Sequence, residues 1–95
     1  MAQEFMAQMS VFRGLWYLYV VLPDPSGRWP EYDFDRAAPV PTFTERADAL
    51  GVLGFEPVPG AEWRWTEDSQ DPDDPASPVV LLAAIQVRSR AGESA

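Results

Sequence analysis

The chain has 95 residues, 15 acidic side chains against 7 basic ones, a net charge of -8, and no histidine or cysteine. All 7 basic residues are arginine, so lysine is absent too. These absences remove the commonest general base, the thiol nucleophile and the Schiff-base amine, and with them a disulfide framework and any thiolate or imidazole metal site. At 46% apolar the sequence is too rich in core-forming residues for an acidic disordered protein. Residues 1–90 are expected to form one domain and residues 91–95 a flexible tail.

Glu4 to Val11 alternates Phe5, Ala7, Met9 and Val11 against Glu4, Gln8 and Ser10, the period of a half-buried strand. Arg13-Gly14 breaks it, and Leu15 to Leu22 follows as a stronger strand, with Trp16, Leu18, Val20 and Leu22 on one face and Tyr17, Tyr19 and Val21 on the other. The two should pair as a hairpin. Pro23 to Gly27 is dense in turn formers, after which Glu31 to Asp35 alternates Tyr32 and Phe34 with carboxylates as a short third strand.

Pro39-Val40-Pro41 ends that strand, and Thr42-Phe43-Thr44-Glu45 is a capping box that starts a helix. Phe43, Ala47, Leu50 and Gly54 fall on one stripe that should face the sheet, with Gly54 as the left-handed stop. Phe55 to Val58 reads as a short extended piece. Glu62 to Glu67 alternates again, with Trp63 and Trp65 on the side expected to meet Phe43 and Leu50. Glu67 to Ser77 reads as a solvated acidic loop carrying Glu67, Asp68, Asp71, Asp73 and Asp74. Val79 to Arg88 is apolar on both faces for most of its length and should be a central strand.

The pattern β-β-β-α-β-β is that of an α+β fold, a mainly antiparallel sheet with one helix packed on one face. One helix cannot cover both faces. The uncovered face should gather Tyr17, Tyr19, Val21, Val80, Leu82 and Met6 into an apolar, aromatic patch of the kind that marks an interface, unless the loop from Pro23 to Pro30 folds over it. Trp29 is the candidate exposed tryptophan, and Trp16 is expected in the core.

Chemistry has little to work with. The acidic loop lacks the glycine and terminal glutamate of an EF-hand, and its carboxylates lie where water keeps them ionised, so no metal or cofactor is expected. A nucleophilic serine would have no activating base, and no phosphate-binding glycine loop is present, so an enzyme is not expected. The longest apolar run, Pro78 to Ile85, is too short to span a membrane, and the acidic balance disfavours direct contact with phosphate or anionic lipid. The first ten residues carry Glu4 and no basic residue, unlike an export signal, so a cytoplasmic location is expected.

Leu18-Tyr19-Val20-Val21, Trp29-Pro30-Glu31, the run Thr44 to Leu50 and the run Pro72 to Pro78 together resemble a family of small, acidic, uncharacterised actinobacterial proteins, over nearly the whole chain. The resemblance implies a cytoplasmic protein of filamentous actinobacteria, sometimes encoded near mobile elements, and it supplies no activity or catalytic residue. Three functions remain: a non-enzymatic protein-binding or accessory module, whose partner is another protein or a second copy; a DNA-mimic inhibitor of a nucleic-acid-binding protein; and a small-ligand-binding domain.

Overall fold

The computed structural model describes residues 3–23 and 28–90. The expected C-terminal tail and most of the turn from Pro23 to Gly27 lie outside the described residues. The elements are β1 (Glu4–Phe12), β2 (Leu15–Val21), β3 (Glu31–Asp33), α1 (Phe43–Leu53), β4 (Phe55–Pro57), β5 (Arg64–Ser69) and β6 (Val79–Ser89). All pairings are antiparallel, in the order β3-β2-β1-β6-β4, with β5 also on β6. The expected α+β class, with one helix packed on a mainly antiparallel sheet, is thus the observed one.

The first hairpin closes tightly because Arg13 and Gly14 both take positive φ, 54° and 79°, which matches the twist of a two-residue loop. Phe12 therefore pairs with Leu15, and β1 runs one residue further than the alternation to Val11 implies. On its other edge β1 pairs with β6, from Glu4 opposite Arg88 to Ser10 opposite Leu82. β4 and β5 lie end to end along the far edge of β6, β4 on residues 87–89 and β5 on residues 79–84. The expected central strand is central from Leu82 to Arg88, where β1 flanks it, whereas Val79 to Leu81 pair with β5 alone and leave Val79 and Leu81 exposed.

After β3, where Asp35 turns at φ 55°, the chain continues beside β2 as an irregular strap. Phe34 N–H donates to the Trp16 carbonyl, Trp16 N–H to the Arg36 carbonyl, and the Trp16 indole to the Ala37 carbonyl at 2.9 Å. The third strand is thereby shorter than the alternation to Asp35 suggests. The strap delivers Thr42 as the helix N-cap: Thr42 Oγ1 accepts from Glu45 N–H at 3.2 Å while Glu45 accepts from Thr42 N–H at 2.9 Å. Gly54 ends the helix at φ 90°. Glu45 also takes both guanidinium nitrogens of Arg36, each at 2.6 Å, so one carboxylate ties strap and helix together.

The core comprises Ala7, Met9, Trp16, Leu18, Val20, Ala49, Leu50, Ala83, Ile85 and Val87, with Phe5, Tyr32, Leu53, Phe55 and Trp63 packed around it. The stripe Phe43, Ala47, Leu50, Gly54 does not describe the helix face. The buried side chains are Arg46, Ala49 and Leu50, whereas Phe43 is 71% exposed and Ala47 is exposed. The helix is rotated because Arg46, only 6% exposed, lies against the rings of Phe43, Trp63 and Trp65 at 5.0, 5.1 and 5.5 Å. Trp63 and Trp65 thus meet the helix through an arginine, and Trp65 also packs edge-on against Trp16 at 6.1 Å.

The acidic loop is a second correction. β5 begins at Arg64, two residues after the expected Glu62, and continues past Glu67 to Ser69 because β6 is long enough to pair with it, so Asp68 as well as Glu67 is a strand residue, opposite Val80 and Leu81 respectively.

Two measurements test this framework. The Glu45 carboxyl is lowered from 4.5 to about 2, chiefly by the hydrogen bonds from Arg36 and then by the Thr42 amide. A carboxyl whose folded value lies below its unfolded value stabilises the fold fully above about 4.5 and ceases to do so as the pH falls to about 2. Denaturation at stepped pH should show this acid slope in the wild type and a flatter one in Glu45→Gln, with Thr42→Ala costing about 1 kcal/mol at neutral pH. In the same assay at neutral pH, Arg46→Ala should cost about 3 kcal/mol through lost packing, and Arg46→Met distinctly less, since it fills the volume without burying a charge.

Candidate functional site

Side chains directly opposite in an antiparallel pair project to the same side, so the registers define the face away from the helix. Across β2 and β1 it carries Val21 beside Met6, Tyr19 beside Gln8, Tyr17 beside Ser10, and Leu15 beside Phe12. β3 places Glu31 opposite Tyr19 and Asp33 opposite Tyr17. On the other flank Leu82 lies opposite Ser10, followed along β6 by Val80, and β5 adds Thr66 and Asp68 as their partners.

The loop before β3 contributes Trp29, whose ring stacks on Tyr19 with centroids 6.1 Å apart and planes 14° from parallel. Val20 N–H donates to the Pro30 carbonyl and fixes the end of this segment. Within its described part, the loop from Pro23 to Pro30 thus reaches onto Tyr19 and extends the aromatic surface, for Trp29 is 44% exposed. At the hairpin end Phe12 meets Tyr17 edge-on, centroids 6.4 Å apart.

The six candidate residues do not form one uniform patch. Tyr17, Tyr19 and Trp29 make an aromatic row beside a niche of about 330 Å³ bounded by Ser10, Phe12, Tyr17, Tyr19 and Glu31. Val80 and Leu82 line a larger cleft of about 1110 Å³, between the tip of the first hairpin and the β5–β6 ribbon. That cleft opens because the β1–β6 register ends at Ser10 and Leu82 although both strands continue past it. Val21 lies at the opposite end with Met6, Leu22 and Gln86 in a shallow hollow. Gln8 and Ser10 interrupt the apolar surface between them.

Phe12 joins niche and cleft and is 60% exposed, yet alternation to Val11 does not mark it. The signal that could have found it is the pairing rule for a two-residue loop, which makes the residue before Arg13-Gly14 the last of the strand.

The sequence matches a family of unknown function, DUF6303, over residues 3–95. The chain belongs to that family. A comparison with curated proteins and another with solved structures each gave no match.

In this DUF6303 chain the acidic segment uses its carboxylates locally. Asp71 Oδ1 accepts from Asp73 N–H at 3.1 Å, Asp74 Oδ1 from Ala76 N–H at 2.9 Å, and Asp71 N–H donates to Ser77 Oγ at 3.2 Å. These are turns stabilised by their own side chains. Among the described residues no group of three carboxylates converges as a metal-ligand set, and no helix is long and apolar enough to cross a membrane. The displaced carboxyl of Glu45 is held by Arg36 and the helix cap, away from niche and cleft alike.

The two tryptophans on opposite faces of the sheet should separate in a stability assay. Trp29→Ala is expected to lower stability by about 1 kcal/mol, the value of an exposed aromatic pair, whereas Trp16→Ala should cost about 4 kcal/mol because it empties the core. Chemical denaturation followed by circular dichroism reads both.

Proposed function

We propose that this DUF6303 protein is a non-enzymatic binding module that docks a protein partner on the open face of its sheet. The observation that carries this reading is the row Phe12, Tyr17, Tyr19 and Trp29, the first three on the hairpin of β1 and β2 and the last stacked on Tyr19 from the segment before β3, left uncovered by any described strand or helix. Large aromatic side chains held on a firm scaffold supply contact area at low entropic cost, which is why they dominate binding hot spots. Gln8, Ser10, Glu31 and Asp33 provide the polar surroundings such patches have.

DNA mimicry is less well supported, since Asp71 and Asp74 accept hydrogen bonds from their own turn. The composition, with arginine as the sole basic residue, one isoleucine and no lysine or asparagine, suits a high-GC actinobacterial genome. The lack of cysteine agrees with a cytoplasmic site of action.

Photo-crosslinking in the source cytoplasm tests the reading. A crosslinkable residue at Tyr17 should trap a partner, the same residue at Asp73 should not, and Trp29→Ala should reduce the yield at position 17. Trapping from position 73 alone, or equal trapping with and without Trp29, would overturn it. The mass of the adduct tells a second copy from another protein.

A further inference from the structure

The niche on the open face has a chemical character beyond its apolar area. Three of the five residues that line it are aromatic, Phe12, Tyr17 and Tyr19, and a fourth is the acidic Glu31. Asp33 stands next along β3, opposite Tyr17. Aromatic faces carry negative quadrupole density and attract cations, and a carboxylate beside them adds a full charge. The ion pairs among the described residues are Arg36 with Glu45 and Arg88 with Glu56, so neither Glu31 nor Asp33 has a cationic partner there.

Resting on the protein-binding reading above, we propose that this niche receives an arginine side chain of the partner, its guanidinium lying against Tyr17 or Tyr19 and bridging to Glu31. A guanidinium is planar, stacks on aromatic rings, is weakly hydrated and forks onto carboxylates, whereas an ammonium does none of these as well. The fold already uses this contact twice within itself. The buried Arg46 lies 5.0 to 5.5 Å from three ring centroids, and Arg13 lies 5.2 Å from that of Phe12 at the edge of the niche. A hollow of about 330 Å³ suits one long side chain.

Long-range charge points the same way. A chain at -8 draws cationic surfaces toward it and repels its own copy, which would bring the same carboxylates to the same face. The occupant is therefore a basic segment of a different protein, with arginine at its centre.

The test is an NMR titration of the full chain with a Gly-Arg repeat peptide and with its citrulline counterpart, which keeps the planar shape and length but replaces the charged guanidinium with a neutral urea. The arginine peptide should shift the resonances of Tyr17, Tyr19 and Trp29 saturably and bind about tenfold more tightly than the citrulline peptide. Glu31→Gln should weaken it about fivefold, and Tyr19→Leu at least as much, while the triple variant Asp71→Asn, Asp73→Asn, Asp74→Asn should leave the shifts on Tyr17 and Tyr19 in place. Equal binding of the two peptides, or shifts confined to residues 71–74 and insensitive to Glu31→Gln, would overturn the proposal. If the peptides fail while crosslinking from position 17 succeeds, the cation preference falls and the docking face stands; failure of both removes both.

Discussion

The packing of this protein turns on one buried guanidinium. Arg46 has given up most of its water without gaining a carboxylate: its Nε donates to the Pro41 carbonyl at 2.9 Å, its Nη1 has no partner, and burial lowers its pKa from the ordinary arginine value. What compensates is the set of rings around it, Phe43 from its own helix and Trp63 and Trp65 from the chain that leads into and begins β5. The contact fixes the rotation of α1 about its axis, seats Trp65 against Trp16, and joins the helix to a part of the sheet it would otherwise only overhang. Because the attraction is between a cation and ring faces, it constrains orientation more than a purely apolar contact of equal area would.

From that rotation follows the division of labour between the two faces. Ala49, Leu50 and Leu53 complete the core where α1 packs on β2, β3 and β4, and the strap through Arg36 and Glu45 closes its side. With α1 committed there, the segment before β3 is what reaches the opposite face among the described residues, and it adds a ring through Trp29. The aromatic row is thus what remains when a small chain spends its one helix on one side of a sheet. Its carboxylate border comes from β3, an edge strand, where charge also discourages unwanted pairing along the free edge.

Much of this was legible in the sequence, and the exceptions share a cause. Strands β1, β2 and β6 showed in their alternation, and the helix start showed in Thr42 and Glu45, because period and capping chemistry are local. The buried stripe of α1 was misread because an arginine enters the core only when distant rings surround it, and nothing near residue 46 announces Trp63 and Trp65. Alternation places β5 two residues early, at Glu62 to Glu67 instead of Arg64–Ser69, for a related reason: Asp68 and Ser69 look like loop residues until β6 is placed beside them as a partner. At the candidate site, Tyr17, Tyr19 and Trp29 could be named from their face and their turn, and their stacking is new. Phe12 follows from the two-residue loop at Arg13-Gly14 once that rule is applied, whereas the separation of Val80 and Leu82 into another hollow depends on where β1 and β6 part company, which no short-range pattern encodes.

The place of β6 sets the order in which the molecule can be assembled. It is the last strand among the described residues, yet β1, β4 and β5 all hydrogen-bond to it, and its Arg88 stands opposite Glu4. During synthesis the first hairpin and the helix must therefore wait, with one edge of β1 bare, until residues 79–89 have emerged. Pairings that span nearly the whole chain are slow to find and leave apolar strand exposed meanwhile. The strong negative charge of a chain that is otherwise nearly half apolar has a use in that interval, keeping incomplete copies apart until the final strand closes the sheet.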